Sequence, residues 1–242
     1  MPPLINVASK KFQGISPSLF FTLNNPNPYG SSTDDYFGNA VALSGNYALV
    51  SAYWEDDAGG TYSGKAYIFD VTTGNLLHTL NNPNAYGTSA SDAFGNAVAL
   101  SGNYALVSAK MEDDAGGTAS GKAYIFDVTT GNLLHTLNNP NAYDTSAGDR
   151  FGQAVAISGN YALVSAYGED DAGGTDSGKA YIYDVTTGTL LHTLNNPNAY
   201  DTSAGDQFGI TVALSGNYAL VGAYLEDDAG GTASGKAYIY QL

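Results

Sequence analysis

Short runs of alternating apolar residues, separated by polar turns, recur along the whole chain, and no run has the 3.6-residue spacing of an amphipathic helix. In the first complete unit this pattern predicts four strands, at residues 37–43, 47–53, 65–71 and 76–80. The segments between them are rich in glycine, serine, asparagine and aspartate, which favour chain reversals. We therefore predict an all-β protein.

The same unit occurs four times. The pair Phe-Gly marks each copy, with a constant spacing of 57 residues, at Phe37-Gly38, Phe94-Gly95, Phe151-Gly152 and Phe208-Gly209. The segments Ser-Gly-Asn-Tyr-Ala-Leu-Val and Gly-Lys-Ala-Tyr-Ile recur with the same period and are identical in all four units. A four-stranded unit repeated in this way is typical of the blade of a β-propeller.

The side-chain pattern predicts how the blades pack. In the first strand Phe37, Val41 and Leu43 form a bulky face, whereas glycine and alanine form the opposite face. The third strand is apolar on both faces as well. Each small sheet must therefore be covered on both sides, and a ring of sheets stacked bulky face against small face meets this requirement.

The two ends of the repeat region predict ring closure. Residues 19–23 align with the fourth strand of the next unit, and the chain stops after a third strand. An N-terminal strand that pairs with the C-terminal blade would give a four-bladed propeller with four antiparallel strands per blade over residues 19–242, and it would leave no open sheet edge at the ring ends. The alternatives are an open array or half of a larger ring. Residues 1–18 have no copy and are predicted to form an N-terminal arm.

The repeated motif resembles a known family. Phe-Gly-x-x-Val-Ala-x-Ser-Gly-x-Tyr-x-Leu-Val-x-Ala, followed by Gly-x-Ala-Tyr-Ile, is similar to the FG-GAP repeat, the blade unit of integrin-α-like propellers. The resemblance covers residues 19–242 and implies a non-enzymatic propeller for adhesion or ligand binding, with calcium in some members. The calcium loop of the family, Asp-x-Asp-x-Asp-Gly between the first two strands, is replaced here by Ser-Gly-Asn.

The charge of the chain limits its partners. With 23 acidic and 8 basic residues the net charge is −15, which repels nucleic acid and anionic membrane surfaces. No apolar run is long enough for membrane insertion. The chain has no cysteine, and its N-terminus shows no apolar signal-peptide core. We expect an extracellular or surface-exposed protein, with association with a virion as an alternative.

One end of the blades carries the long loops, at residues 55–63 and 81–93 and their copies, and we call this end the long-loop face. Most differences between the four repeats fall on it, which favours a binding role. The predicted ligand-binding residues are Trp54, Tyr62, Tyr86, Tyr143, Arg150 and Tyr200. The Asn-Asn-Pro-Asn segments on the same face are interpreted as strand caps and crossovers. The alternative is that their amides and the following tyrosines hold a sugar.

A Glu-Asp-Asp cluster follows the second strand of every repeat, and the four clusters hold 12 of the 23 acidic residues. Carboxylates next to glycine carbonyls suit a hard cation, so Ca²⁺ is the predicted ion. The candidate ligands are Asp56, Asp57, Asp113, Asp114, Asp170, Asp171, Asp227 and Asp228. The alternative is that these residues form turns and an acidic, soluble surface.

Catalysis is poorly supported by the sequence: paired carboxylates occur, but adjacent acids lack the contrasting environments that acid–base chemistry needs, and a hydrolase or lyase on a propeller scaffold is the least favoured alternative. The three histidines, His78, His135 and His192, fall on predicted outermost strands of different blades and cannot share a metal ion. No phosphate-binding glycine loop leads into a helix. We therefore predict a non-enzymatic, monomeric propeller that binds a protein or a glycan with its long loops. The alternative is a structural or decoration protein of a larger assembly, tethered by the arm of residues 1–18.

Overall fold

The computed structural model describes residues 17–27, 31–84, 87–141, 144–198 and 201–242. These residues form fifteen β-strands in four antiparallel sheets, which we call blades 1 to 4 in chain order. The all-β prediction is confirmed. Within the described ranges, no helix has the length and hydropathy that a membrane crossing needs. The predicted arm falls almost entirely on residues 1–16, outside the described residues, and stays a prediction.

Each blade is a simple antiparallel meander. Blade 1 consists of β1 (Val41–Ser44), β2 (Tyr47–Ala52), β3 (Lys65–Asp70) and β4 (Leu76–Asn81), and blade 2 of β5 (Phe94–Ser101), β6 (Tyr104–Ala109), β7 (Lys122–Asp127) and β8 (Leu133–Asn138). Blade 3 consists of β9 (Val155–Ser158), β10 (Tyr161–Ala166), β11 (Lys179–Asp184) and β12 (Leu190–Asn195), and blade 4 of β13 (Thr211–Ser215), β14 (Tyr218–Ala223) and β15 (Lys236–Gln241).

Consecutive blades pack bulky face against small face, as the alternation predicts. Between blades 1 and 2, Leu49 and Ile68 on the small face are fully buried against Phe94 and Tyr124 on the bulky face. The next two junctions repeat the arrangement with the corresponding residues. The first strands are innermost, because β1 lies against β5, β5 against β9, and β9 against β13.

The Phe-Gly motif joins one blade to the next. Phe94 is fully buried in the junction, where its ring contacts those of Tyr124 and Phe126. Gly95 has φ +91°, and a Cβ atom there would come within 2.9 Å of the Lys65 carbonyl oxygen of blade 1. The motif therefore combines an apolar anchor with a close approach of two backbones, which only glycine permits.

Blade 4 differs from the prediction of four strands in every blade. It has three strands, and residues 19–23 form no strand and do not pair with β15. They lie instead against blade 1, where Leu23 packs on the bulky face and the Phe21 ring covers Gly74. Because residues 19–23 contact blade 1, β15 is the outer strand of its sheet and has β14 as its one partner among the described residues.

The outer faces of blades 1 and 4 are correspondingly uncovered. Leu220 and Ile239 of blade 4 are 42% and 75% exposed, whereas their copies in blades 1 to 3 are fully buried. On blade 1, Leu43 is 73% exposed, whereas its copy Leu100 is buried. Closure of the ring is therefore not observed, and the four blades form an open arc.

Candidate functional site

The long-loop face is held together by backbone hydrogen bonds between neighbouring blades. The Ala93 N–H donates to the Tyr62 carbonyl at 3.2 Å, the Arg150 N–H to the Ala119 carbonyl at 3.1 Å, and the Gln207 N–H to the Asp176 carbonyl at 3.1 Å. Each bond joins the turn before a first strand to the loop after the second strand of the preceding blade. The face is therefore one continuous scaffold across the three junctions.

These hydrogen-bonded positions share an uncommon backbone conformation. All four copies of both turns have φ between 50° and 56°, at Tyr36, Ala93, Arg150 and Gln207 and at Tyr62, Ala119, Asp176 and Ala233. None is glycine, so each holds a side chain in the left-handed region at a cost of about 1 kcal/mol. The residue types at these positions differ from blade to blade, so the fold fixes the backbone here and leaves the side chains free to vary.

Blade 1 carries an aromatic cluster on this face, formed by Tyr36, Tyr53, Trp54 and Tyr62. Ring centroids are 5.8 Å apart for Tyr36–Tyr53, 5.0 Å for Tyr36–Trp54, 5.3 Å for Tyr53–Trp54 and 5.2 Å for Trp54–Tyr62. Tyr36, Trp54 and Tyr62 are 50%, 37% and 44% exposed. The rings pack on one another and still present a large aromatic surface to solvent.

The cluster occurs in one blade only. The corresponding four positions are Ala93, Lys110, Met111 and Ala119 in blade 2, Arg150, Tyr167, Gly168 and Asp176 in blade 3, and Gln207, Tyr224, Leu225 and Ala233 in blade 4. The sequence predicted Trp54 and Tyr62 as ligand-binding residues and missed Tyr36 and Tyr53, which the fold places beside them. Of the other predicted residues, Arg150 lies on blade 3, and Tyr86, Tyr143 and Tyr200 lie outside the described residues.

The glutamate of each acidic cluster is not part of an exposed surface, which corrects the interpretation of the clusters as exposed acids. Glu112 is fully buried, and its carboxylate accepts hydrogen bonds from the Lys122 ammonium at 2.7 Å and the Tyr124 hydroxyl at 2.6 Å. Burial raises the pKa values of the Glu112 carboxyl and the Tyr124 hydroxyl. Glu55, Glu169 and Glu226 have the same lysine and tyrosine partners in their own blades.

The two aspartates of each cluster shape the following loop. In blade 1 the Asp56 carboxylate accepts the Tyr62 N–H at 2.9 Å, and the Asp57 carboxylate accepts the Gly59 N–H at 2.6 Å. Asp113 and Asp114, Asp170 and Asp171, and Asp227 and Asp228 repeat these contacts. Among the described residues, no group of three or more acidic or histidine side chains is placed to hold a metal ion. Calcium at these eight residues stays a prediction, without a ligand cluster to support it.

The asparagine motif is tied to a buried aspartate that the sequence interpretation did not single out. In blade 2 the Asp92 carboxylate accepts Asn82 Nδ2 at 2.7 Å and Asn84 Nδ2 at 2.6 Å. Asp35, Asp149 and Asp206 are also buried and have the same pair of asparagine donors. In the sequence, this network is marked by the constant spacing between the two asparagines and the aspartate, which is ten and eight residues in every copy.

Thermal stability is expected to increase when the pH is lowered from about 8 to about 5. Burial raises the pKa of Asp92 to about 6 and that of Asp149 to about 7, above the value of about 3.9 in an unfolded chain. When the pH is lowered, the folded protein therefore binds protons at a higher pH than the unfolded chain does. The stabilisation that results is fully present below about pH 4 and is lost as the pH rises through 6 to 7.

Each of the two carboxyls is expected to contribute about 1 kcal/mol after allowance for partial solvent screening, or a rise in Tm of about 2–4 °C. Differential scanning calorimetry across this pH range measures the effect. The Asp92→Asn/Asp149→Asn double variant keeps the shape of both side chains and is expected to flatten the profile. A Tm that falls steadily on acidification, with the same slope in the variant, would contradict the expectation.

Two of the three histidines join neighbouring blades. His78 Nε2 lies 3.2 Å from the Thr129 carbonyl oxygen of blade 2, and His135 Nε2 lies 3.1 Å from the Thr186 carbonyl oxygen of blade 3. His78 also covers Gly131 of blade 2 in the way that Phe21 covers Gly74 of blade 1. The alignment of residues 19–23 with fourth strands is therefore reflected in their packing.

Repeated antiparallel blades, with Phe-Gly at each junction and a variable loop face, define a propeller-like repeat protein. The sequence model of the FG-GAP repeat matches the chain four times, over residues 28–69, 84–126, 141–183 and 198–240. The chain belongs to the FG-GAP repeat family, as the motif predicted.

Two solved structures resemble the fold. The computationally designed Ika4 protein has a TM-score of 0.49 and 17% sequence identity, with 86% of this chain and 92% of that chain covered. The computationally designed Ika8 protein has a TM-score of 0.48 and 16% identity, with 85% of this chain and 46% of that chain covered. No curated protein matches the sequence.

Proposed function

We propose that this chain is a non-catalytic binding or adhesion module that holds a glycan on the aromatic cluster of blade 1. The observation that carries the proposal is the presence of four contacting aromatic rings, three of them well exposed, in one blade of four otherwise similar blades. Packing between blades does not require the rings of Tyr36, Trp54 and Tyr62, because blades 2 to 4 fold with other residues at these three positions.

The chemistry of the cluster favours a sugar. Tyrosine and tryptophan offer large, rigid surfaces that are apolar on the ring face and polar at the O–H or N–H, at a low cost in side-chain entropy. A sugar ring has the complementary surface, with C–H groups that stack on an aromatic face and hydroxyls that hydrogen-bond. The net charge of −15 makes an uncharged sugar a better ligand here than a polyanion.

Trp54 fluorescence is expected to change saturably when the protein is titrated with the neutral oligosaccharides selected on a glycan array. Trp54 is the sole tryptophan of the chain, so the signal reports on the cluster alone. Tyr62→Ala and Tyr36→Gln place residues of other blades at these positions and are expected to weaken binding at least about tenfold, as truncation of a central aromatic contact does.

Met111→Leu is the matched control, because it changes the position equivalent to Trp54 in blade 2 to the leucine of blade 4. Its affinity is expected to equal that of the unsubstituted protein. Binding that survives both aromatic substitutions, or the absence of any glycan ligand for the intact protein, would refute the proposal.

We further propose that the arc closes into a four-bladed ring in the working protein. Two complementary halves of a fourth junction support this. Blade 4 has the uncovered small-face residues Leu220 and Ile239, and blade 1 has the uncovered bulky-face residues Val41 and Leu43. Leu23 aligns with Leu80, which is fully buried between blades 1 and 2. Leu23 packs on blade 1 in the same way that Leu80 packs on blade 2. Closure would bury these side chains at a gain of about 1.5–3 kcal/mol each.

Hydrogen exchange tests closure through β15. In a closed ring the outward amides of Lys236–Gln241 pair with residues 19–23, so they are expected to be as protected as those of Lys179–Asp184, the matched strand of blade 3. Deletion of residues 1–23 is expected to abolish this protection and to destabilise the fold strongly. Fast exchange of β15 in the intact monomer, or protection only in a dimer detected by native mass spectrometry, would overturn closure.

A further inference from the structure

The basic residues of this acidic chain have two distinct roles. The chain contains seven lysines and one arginine. Lys65, Lys122, Lys179 and Lys236 each form an ion pair with the glutamate of their own blade, and Lys10 and Lys11 lie outside the described residues. The other two basic residues, Lys110 and Arg150, both lie on the long-loop face, where blade 2 meets blade 3.

Lys110 and Arg150 are held in place by uncharged partners. Lys110 Nζ donates to Gln153 Oε1 across the junction at 3.2 Å. The Arg150 guanidinium donates to the Tyr167 hydroxyl and lies 5.5 Å from the centre of the Tyr167 ring. Within the described ranges, neither cation has a carboxylate within ion-pair distance, although the chain has 23 acidic residues.

The fold does not require these charges. The positions equivalent to Lys110 hold tyrosine in the other three blades, and those equivalent to Arg150 hold Tyr36, Ala93 and Gln207. Lys110 is partly buried, and both its burial and the nearby Arg150 charge lower the pKa of its ammonium. Lys110 and Arg150 therefore place two like charges at one junction, with Arg150 open to solvent, and a bound anion would relieve their repulsion.

We infer that Lys110, Arg150 and Tyr167, with Gln153 in support, form a binding site for a single oxyanion group, a carboxylate, sulfate or phosphate. The guanidinium offers a planar pair of N–H donors, the ammonium adds a second positive charge, and the Tyr167 hydroxyl adds a hydrogen-bonding group. The acidic loops around the site disfavour a polyanion, so the ligand carries an isolated negative charge. This site is separate from the aromatic cluster and does not depend on glycan binding there.

Arg150 provides a direct test, because it is the sole arginine and gives a single Nε–Hε signal in a ¹H–¹⁵N spectrum. We expect this signal to shift saturably with sodium acetate, glucuronic acid, sulfate or phosphate, and to remain unchanged with glucose. The most tightly bound probe identifies the oxyanion: glucuronic acid above acetate indicates a sugar acid, and sulfate or phosphate above both indicates an esterified ligand.

Two variants taken from the chain's own repeats test whether the site is specific. Lys110→Tyr and Arg150→Gln place residues there that other blades hold at the same positions, so both variants are expected to fold. We expect each to weaken the selected anion at least about tenfold by calorimetry, as loss of one charged hydrogen-bonding group does. The site is overturned if no probe shifts the Arg150 signal, if glucose shifts it equally, or if Lys110→Tyr leaves the affinity unchanged.

Discussion

Gly121→Ala is expected to destabilise the protein by more than about 4 kcal/mol, whereas Gly148→Ala is expected to cost about 1 kcal/mol. The two glycines have nearly the same φ, +80° and +84°, so the strain of an alanine at positive φ is common to both. They differ in their surroundings. A Cβ at Gly121 would overlap the Phe151 carbonyl oxygen and lie 2.6 Å from the Phe151 nitrogen, whereas nothing lies within 4 Å of a Cβ at Gly148.

This difference explains why the two motifs of the repeat occur together. Gly121 opens the Gly-Lys-Ala-Tyr-Ile segment of blade 2, and Phe151 belongs to the Phe-Gly pair of blade 3, so the two motifs meet backbone to backbone at the junction. An added methyl group must push apart two backbones that hydrogen-bonded strands hold on either side, and no side chain can rotate to make room.

Urea unfolding followed by circular dichroism measures both costs. Equal midpoints for the two alanine variants would show that the junction does not have the packing described. Gly235→Ala adds information about ring closure, because Gly235 is the blade 4 copy and the atoms nearest to an added Cβ there belong to Tyr224 of its own blade, at 3.0 Å or more. Its cost is expected to approach that of Gly121→Ala if Phe37 of blade 1 closes over it.

The sequence was sufficient to predict the blades because their signals are local and repeated. Side-chain alternation placed Phe37 and Leu43 on the bulky face, and their copies in blade 2, Phe94 and Leu100, are buried in the junction that the pattern requires. The start of the first strand was less predictable. In blade 1 it begins at Val41 rather than at Phe37, because the turn at Tyr36–Asn39 and the bond from the Gly38 N–H to the Ser51 carbonyl interrupt regular pairing.

The candidate site was less accessible to sequence reasoning, because its residues are brought together by backbone conformations that no residue type announces. Tyr36 and Tyr62 are in left-handed turns that would normally suggest glycine or asparagine, so Tyr36 was not recognised as a neighbour of Trp54. The burial of Glu112 was missed for a different reason. Glu-Asp-Asp is typical of an exposed turn, and only the constant distance of ten residues to lysine and twelve to tyrosine distinguishes the glutamate.

The buried glutamate leads to the second large effect. Glu112→Ala is expected to destabilise the protein by about 3–5 kcal/mol, because it leaves the Lys122 ammonium and the Tyr124 hydroxyl in the interior without their common acceptor. Asp114→Ala, in the same acidic cluster, removes an equal charge together with the bonds that its carboxylate accepts from the Gly116 N–H and the Ser146 hydroxyl. It leaves no charged group unpaired in the interior, so it is expected to cost about 1–2 kcal/mol.

A double variant separates the charge from the packing. Glu112→Met/Lys122→Met removes both buried charges at similar volume, and it is expected to recover part of the stability lost in Glu112→Ala, because the desolvation of an unpaired ammonium disappears. The Tyr124 hydroxyl would still lack a partner, so recovery is expected to be incomplete, and adding Tyr124→Phe should restore more. Urea midpoints of the four variants measure these steps. If Glu112→Ala and Asp114→Ala cost the same, the glutamate is not the shared acceptor that holds the middle strands of the blade to their loop.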